Sequence, residues 1–317
     1  MRRDLEAIAS RTDLGEADLE ALVVERNECL ARGDELGYAR CLLVLAHVVK
    51  WVRSENEQHP FERANSLALE ALPILERLGD QNGVIGALLM AAPGLGPEKG
   101  SQAIDSALEI ARTLGDELLV ARVLSRRAAS LSGADSLRSI EILEECLEIY
   151  TRLGQVGGQA SCHFSLVIRN SDEGKCLEHA LRAAELYRSI QNYKEAAKSM
   201  SLALLYFENM SLADRRSLTE IALKDAQAAG NRSFEGSIYG RLSKICAEEG
   251  DFEDAKRYAT WAQEFADSDG MTPKERRREE VAQTKYFANL AESMGQSEAA
   301  KSFRQHLAAL RKKKSSE

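Results

Sequence analysis

The sequence predicts an all-α chain, a solenoid of antiparallel helix hairpins stacked side by side, and three observations predict it. A short phrase that stops one helix and starts the next recurs at an interval long enough for two helices. Between its occurrences apolar residues fall at three- and four-residue spacing, the signature of one buried helix face. Only 5 prolines and 6% aromatics in 317 residues, with Ala, Leu, Glu and Arg abundant, favour helix over sheet.

The phrase reads Leu78-Gly79-Asp80, Leu114-Gly115-Asp116 and Leu153-Gly154-Gln155, and continues in degraded form as Ile190-Gln191-Asn192 and Ala229-Gly230-Asn231. Its central residues, 79, 115, 154, 191 and 230, lie 36, 39, 37 and 39 apart. Glycine just past a helix accepts the left-handed conformation that other residues resist. The Asp or Asn that follows can accept from the free N–H groups of the next helix. A second turn divides the period into helix A and helix B, as at Gly133-Ala134-Asp135, Gly250-Asp251 and Gly295-Gln296.

In chain order, residues 1–32 hold a helix from Asp18 to Leu30 that, with Leu19, Leu22, Val23, Arg26 and Leu30, can cap the stack. Seven hairpins follow: Asp34–Leu78, Asp80–Leu114, Asp116–Leu153, Gln155–Ile190, Asn192–Ala229, Asn231–Ala266 and Thr272–Lys312. Ala107, Ile110, Ala111 and Leu114 form one apolar stripe, and Tyr239, Leu242 and Cys246 another. Pro93 interrupts the second hairpin, and helix A between Val156 and Ile168 fits the register in two ways. Thr272-Pro273-Lys274-Glu275 reads as a capping box with proline at the first helical position. The expected organisation is a capping segment over 1–32, a solenoid over 33–312 and a basic, polar tail over 313–317. No hairpin can bury its apolar face alone, so stacking gives a core continuous along the axis and one concave surface.

The unit from Tyr239 to Ala262 resembles the tetratricopeptide repeat family. Tyr239, Leu242, Ser243 and Cys246 stand where that family prefers a large aromatic, a leucine, a small residue and an aromatic. Gly250-Asp251-Phe252 matches its turn, and Ala255 and Ala262 its small positions on helix B. Leu202, Ala203 and Tyr206 repeat the helix A pattern one unit earlier, while Arg127 stands where a leucine is usual. The LGD-type linkers are typical of longer-period members. The resemblance, which covers roughly Gly33 to Lys312, implies a right-handed superhelix whose concave face is lined by A helices. Transferred by position, its groove residues are Arg122 and Ser125 in the third unit, Met200, Leu204 and Phe207 in the fifth, and Ser237 and Lys244 in the sixth. An apolar floor with a few cations suits an extended peptide or a helix carrying carboxylates. The alternative is that Met200, Leu204 and Phe207 only pack against the next repeat.

Several function classes lose support. The net charge of −8 argues against nucleic-acid binding, which depends on cations neutralising phosphates. No stretch approaches the roughly 20 apolar residues of a membrane span. Six scattered cysteines with no CxxC suit a reduced, cytosolic chain. No GxSxG, HExxH or Walker-type motif is present, so neither catalysis nor a cofactor is expected. Cys162, His163, Cys176 and His179 could converge from the two helices of one hairpin as a zinc site, against which cysteine is a common small core residue. The leading expectation is a cytosolic scaffold or adaptor that holds a peptide or protein. A rival is a regulatory sensor acting through a separate output protein, because similar repeats occur beside DNA-binding or nucleotide-cyclase domains. A third class, a metal-dependent or hydrolytic enzyme, has only the Cys/His cluster in its favour. The oligomeric state is left open.

Overall fold

Each helix A of the second to sixth repeats follows a residue in the left-handed region or a side chain that caps it, as the phrase requires. A computed structural model describes residues 15–50, 60–131, 133–207, 209–266 and 273–312. Among these, α1 (Glu16–Arg32) precedes α2 (Glu35–Val48), α3 (Pro60–Leu78), α4 (Gln81–Ala91), α5 (Pro97–Leu114), α6 (Glu117–Ser130) and α7 (Ser136–Arg152). Then come α8 (Val156–Arg169), α9 (Glu173–Ser189), α10 (Tyr193–Ala203), α11 (Leu212–Ala228), α12 (Arg232–Glu248), α13 (Phe252–Ala266), α14 (Pro273–Ser293) and α15 (Ser297–Lys312). The described residues contain no strand, and the pairs α2/α3 to α14/α15 are the seven expected hairpins. The capping residue Thr272 and the tail over 313–317 lie outside the described residues.

Asp80, Asp116, Asn192 and Asn231 accept from the backbone N–H three residues on, at 3.2, 3.0, 3.3 and 3.1 Å. Gly230 has φ 62, and its N–H and that of Asn231 return to the carbonyls of Gln227 and Ala226, closing the preceding helix. Gln191 has φ 59, and the same pair recurs there, its N–H and that of Asn192 returning to the carbonyls of Arg188 and Tyr187. It is the one positive-φ residue other than glycine among those described. Pro93 ends α4 early, in a single 3-10 turn over Ala92–Gly94.

Counting from the cap gives the packing. Residues eight, eleven, twelve and fifteen past Asn231 are Tyr239, Leu242, Ser243 and Cys246, all buried. The same count from Asp34 gives Leu42, Leu45, Ala46 and Val49, and from Asn192 it gives Met200, Ala203, Leu204 and Phe207, again all buried. In α6 the eleventh position is Arg127. Its guanidinium instead meets Ser101 Oγ at 2.5 Å and Asp105 at 3.2 Å on α5.

The chain divides between Gln155 and Val156 into two compact units. In the first unit α1 lays Leu22 on Val44, Leu45 and Val48, with Leu19 and Val23 beside it, while Leu30 is 64% exposed. Next to it Leu42, Leu75 and Val84, then Ile85, Ile104 and Val123, form successive core clusters. In the second unit Ala160, Tyr187 and Ala196 lead to the cluster of Met200, Leu204, Phe207, Ile238 and Leu242, and a last cluster joins Phe252, Phe287 and Ala300.

Candidate functional site

The core takes one face of each helix A, and the same count identifies the face left open. Positions six and thirteen past the cap are seven residues apart, two helical turns, so they stand one above the other. In the second unit they are Ser161 and Ile168 on α8, Leu205 just past the end of α10 with Lys198 on it, and Ser237 and Lys244 on α12. All six are exposed. Ile168 and Leu205 are 63% and 57% exposed, unusual for large aliphatics. Beside them Arg241 donates to the Leu204 carbonyl at 2.9 Å and holds its guanidinium 5.8 Å from the Phe207 ring centre.

This geometry divides the expected groove residues. Ser237, Lys244 and Arg122 are exposed, and Ser125 is half-buried with its hydroxyl donating to the Ala121 carbonyl at 2.9 Å. Met200, Leu204 and Phe207 are 0%, 1% and 3% exposed and belong to the core, so they offer a ligand no surface. The family pattern had been set on Leu202, Ala203 and Tyr206, one residue short of Ala203, Leu204 and Phe207. One residue is about 100° of helix, enough to exchange the open row for the core row. Counting from Asn192 locates the open residues Lys198 and Leu205, a signal present in the sequence.

The first unit carries a different face. Past Arg40, the only residues of α2 and its C-terminal turn that are not buried are Leu43, His47 and Lys50, a single stripe. The open side of α6 presents Arg122, Ser125, Arg126 and Ala129. Between them α4 contributes Gly86, where an added Cβ would stand 3.6 Å from Leu43 Cδ1. Arg40 is tied to Asp80 at 2.9 Å. Among the described residues, Lys50, Arg122 and Arg126 form no ion pair. Burial pushes the His47 imidazole below its ordinary value, and the charges of Lys50 and Arg126 push it the same way. Burial likewise lowers the Lys50 ammonium, with Arg126 adding to it. These three groups therefore lie within electrostatic reach of each other.

The Cys/His cluster comes together only in part. His163 on α8 and His179 on α9 bring their Nδ1 atoms to 3.0 Å, one ring's N–H facing the other's lone pair. Burial, then His179 and Arg182, hold His163 down to about 4 against the opposing charge of Glu178. The thiols sit elsewhere: Cys176 Sγ donates to the Val167 carbonyl at 3.4 Å, and Cys162 is buried. Among the described residues no three His, Cys, Asp or Glu side chains are grouped to hold a metal. Nor is any described helix long and apolar enough to cross a membrane.

No protein-family model matches the chain, and no curated protein matches its sequence. Solved structures do. A signal-transduction ATPase with numerous domains and a tetratricopeptide repeat sensor, from Pyrococcus horikoshii, is 16% identical with a TM-score of 0.55. The match covers 78% of this chain and 41% of that one, so this chain spans about two fifths of its length. The apo form of RapI is 13% identical over 78% of this chain and 97% of that one, with a TM-score of 0.46. A Rap protein complexed with competence and sporulation factor is 14% identical over 93% and 98%, with a TM-score of 0.40. The fold is that of tetratricopeptide-like helical repeats.

Proposed function

We propose that this tetratricopeptide-like repeat chain is a binding module that holds a peptide or protein segment against the open faces of its A helices. What carries the reading is the row on the second unit. Ile168 and Leu205 stand at the same position of successive repeats, both more than half exposed, and Lys244 takes that position in the next repeat. Two aliphatics and a cation at one position of successive repeats favour a segment with apolar side chains beside a carboxylate. Arg122 and Ser125 belong to the corresponding face of the first unit.

The test is to recover partners from native lysate with the unaltered chain, then titrate each against variants. Leu205→Asp and Lys244→Glu should each weaken binding by roughly 1–3 kcal/mol, the second less so at high salt. Glu148→Lys, an exposed charge on helix B of the third repeat, should leave affinity unchanged. Equal affinities for all three variants would move the binding surface away from the A helices.

A second reading is a sensor whose ligand alters a separate output protein. It draws support from the signal-transduction ATPase whose tetratricopeptide repeats are described as its sensor. A ligand that changes the oligomeric state of this chain, or its affinity for a second protein, would favour it.

A further inference from the structure

The fourth hairpin differs from its neighbours at one contact between its two helices. In the second, fifth and sixth hairpins the eighth residue past the cap of helix A and the seventh past the cap of helix B share one apolar cluster. They are Leu88 with Ala103, Met200 with Leu218, and Tyr239 with Tyr258, whose ring centres lie 6.0 Å apart. On α8 and α9 the same count, from Gln155 and Asp172, reaches His163 and His179, two of the five histidines in the chain. Their Nδ1 atoms stand 3.0 Å apart and their ring centres 5.2 Å. Both rings are half-buried. Two imidazoles bury less apolar surface than the residues the neighbouring hairpins use and bring polar edges that must be satisfied, so the stack itself gains nothing from them.

We propose that His163 and His179 form a two-imidazole site for a divalent transition-metal ion, each supplying Nδ1. Two such nitrogens in adjacent coordination positions, each about 2.0–2.1 Å from the ion, lie about 3.0–3.4 Å apart. The pair is already at that separation. Without metal, one Nδ1 carries a proton that the other accepts. On binding, that ring carries its proton on Nε2 instead, and both Nδ1 lone pairs turn to the ion by rotation about χ2, a soft torsion. No proton is released, and water completes the shell on the exposed side of the rings. Burial holds His163 down to about 4, so near neutral pH its lone pair is free. The charge of Arg182 opposes a cation here, but its guanidinium is paired with Glu185 at 2.5 Å, and Glu178 acts in the favourable sense. Imidazole donors suit zinc, nickel or copper, whereas magnesium and calcium take oxygen. The site is separate from the row on the A helices and does not depend on it.

The experiment is calorimetric titration and thermal melting of the full chain, stripped with a chelator and kept reduced, with zinc, nickel(II) and magnesium as probes. One equivalent of zinc or nickel should bind saturably and raise the melting temperature, and magnesium should do neither. His163→Gln and His179→Gln should each weaken binding at least tenfold. Cys176→Ala should bind as the parent does, and so should His306→Gln, whose ring meets Glu280 elsewhere. Should a glutamine variant fail to fold, a double variant, His163→Leu with His179→Leu, carries the same test, because it restores the apolar contact of the neighbouring hairpins. It should bind no metal and melt no lower than the metal-free parent. No saturable binding of zinc or nickel overturns the inference, as does binding that the histidine variants leave intact. Binding lost with Cys176→Ala would assign the metal to the thiols and overturn it too. A double variant that melts below the metal-free parent would make the pair a part of the fold rather than a site.

Discussion

At positions six and thirteen past the cap the first unit carries Arg40, His47, Gly86, Pro93, Arg122 and Ala129, with Lys50 and Arg126 one turn past His47 and Arg122, whereas the second carries Ser161, Ile168, Lys198, Leu205, Ser237 and Lys244. Beneath both, the same count from the cap fills the core: Leu42, Leu45, Ala46 and Val49 in one, Met200, Ala203, Leu204 and Phe207 in the other. The backbone device is therefore shared and the surface chemistry is not. Open positions make no demand on the stack, so a basic face and a mixed apolar face can be built on one hairpin without repacking it. In a repeat fold, recognition is thus free to differ from unit to unit while the caps and the core row stay alike.

The comparison depends on the two rows being correctly told apart, and the largest effect tests that. Met200→Asp puts an unpaired charge where exposure is 0%, and should cost about 4 kcal/mol or more. Lys198→Asp and Leu205→Asp, two residues before and five after it, should stay within about 1 kcal/mol of the parent in thermal melts. A destabilised Leu205→Asp beside a tolerated Met200→Asp would reverse the rows.

A smaller effect sharpens the difference between the units. Gly86→Leu adds a side chain to the floor of the basic face, where the nearest atom to the new Cβ is Leu43 Cδ1 at 3.6 Å, an ordinary contact. Replacing a mid-helix glycine should leave stability equal or raise it by up to about 1 kcal/mol. Binding of any ligand on that face should fall while the second unit keeps its own. Loss of stability, or binding untouched on the first unit, would show that Gly86 is not part of the face.

Acid should affect the second unit through His163. Its folded value near 4 lies below the ordinary 6.5, so between these values the unfolded chain takes up a proton that the folded chain refuses. That contribution to stability is present above pH 6.5 and is lost as the pH falls toward 4. Melting temperature should drop through this window, and His163→Gln should flatten the drop. An unchanged profile in the variant would mean that His163 does not titrate this way.

The smallest effect concerns Gln191, which holds φ 59 where the other linkers place glycine. Gln191→Gly should raise stability by about 0.5–1 kcal/mol by relieving the left-handed strain, whereas Gly154→Gln should lower it by a similar amount. Melts of the two variants check the sign.

Most of the fold was legible because its signals are local. Gly230-Asn231 and Asp80 specify a stop and a start by backbone conformation and one hydrogen bond, which need no knowledge of the rest of the chain. Even Ile190-Gln191-Asn192, degraded at its glycine, kept its place. The open face was less legible, because it is defined by what the stack does not cover. The side chains of Met200, Leu204 and Phe207 suit a groove floor as well as a core, and only the distance from Asn192 separates the two. Lys50 and Arg126 were missed because they lie 76 residues apart in the sequence and come within electrostatic reach only in the folded chain. Cys162 and Cys176 share a hairpin with the two histidines, but each turns into the core while the imidazoles meet outside it.

Native thiol labelling tests the central claim, that Leu205 and Ser237, thirteen and six past their caps, are surface while Leu204, twelve past Asn192, is core. The six native cysteines are buried and supply the slow reference rate. A maleimide should modify Leu205→Cys and Ser237→Cys in the folded protein within the time a free thiol takes, and should modify Leu204→Cys no faster than the native six. Fast labelling at position 204 with slow labelling at 205 would contradict the account.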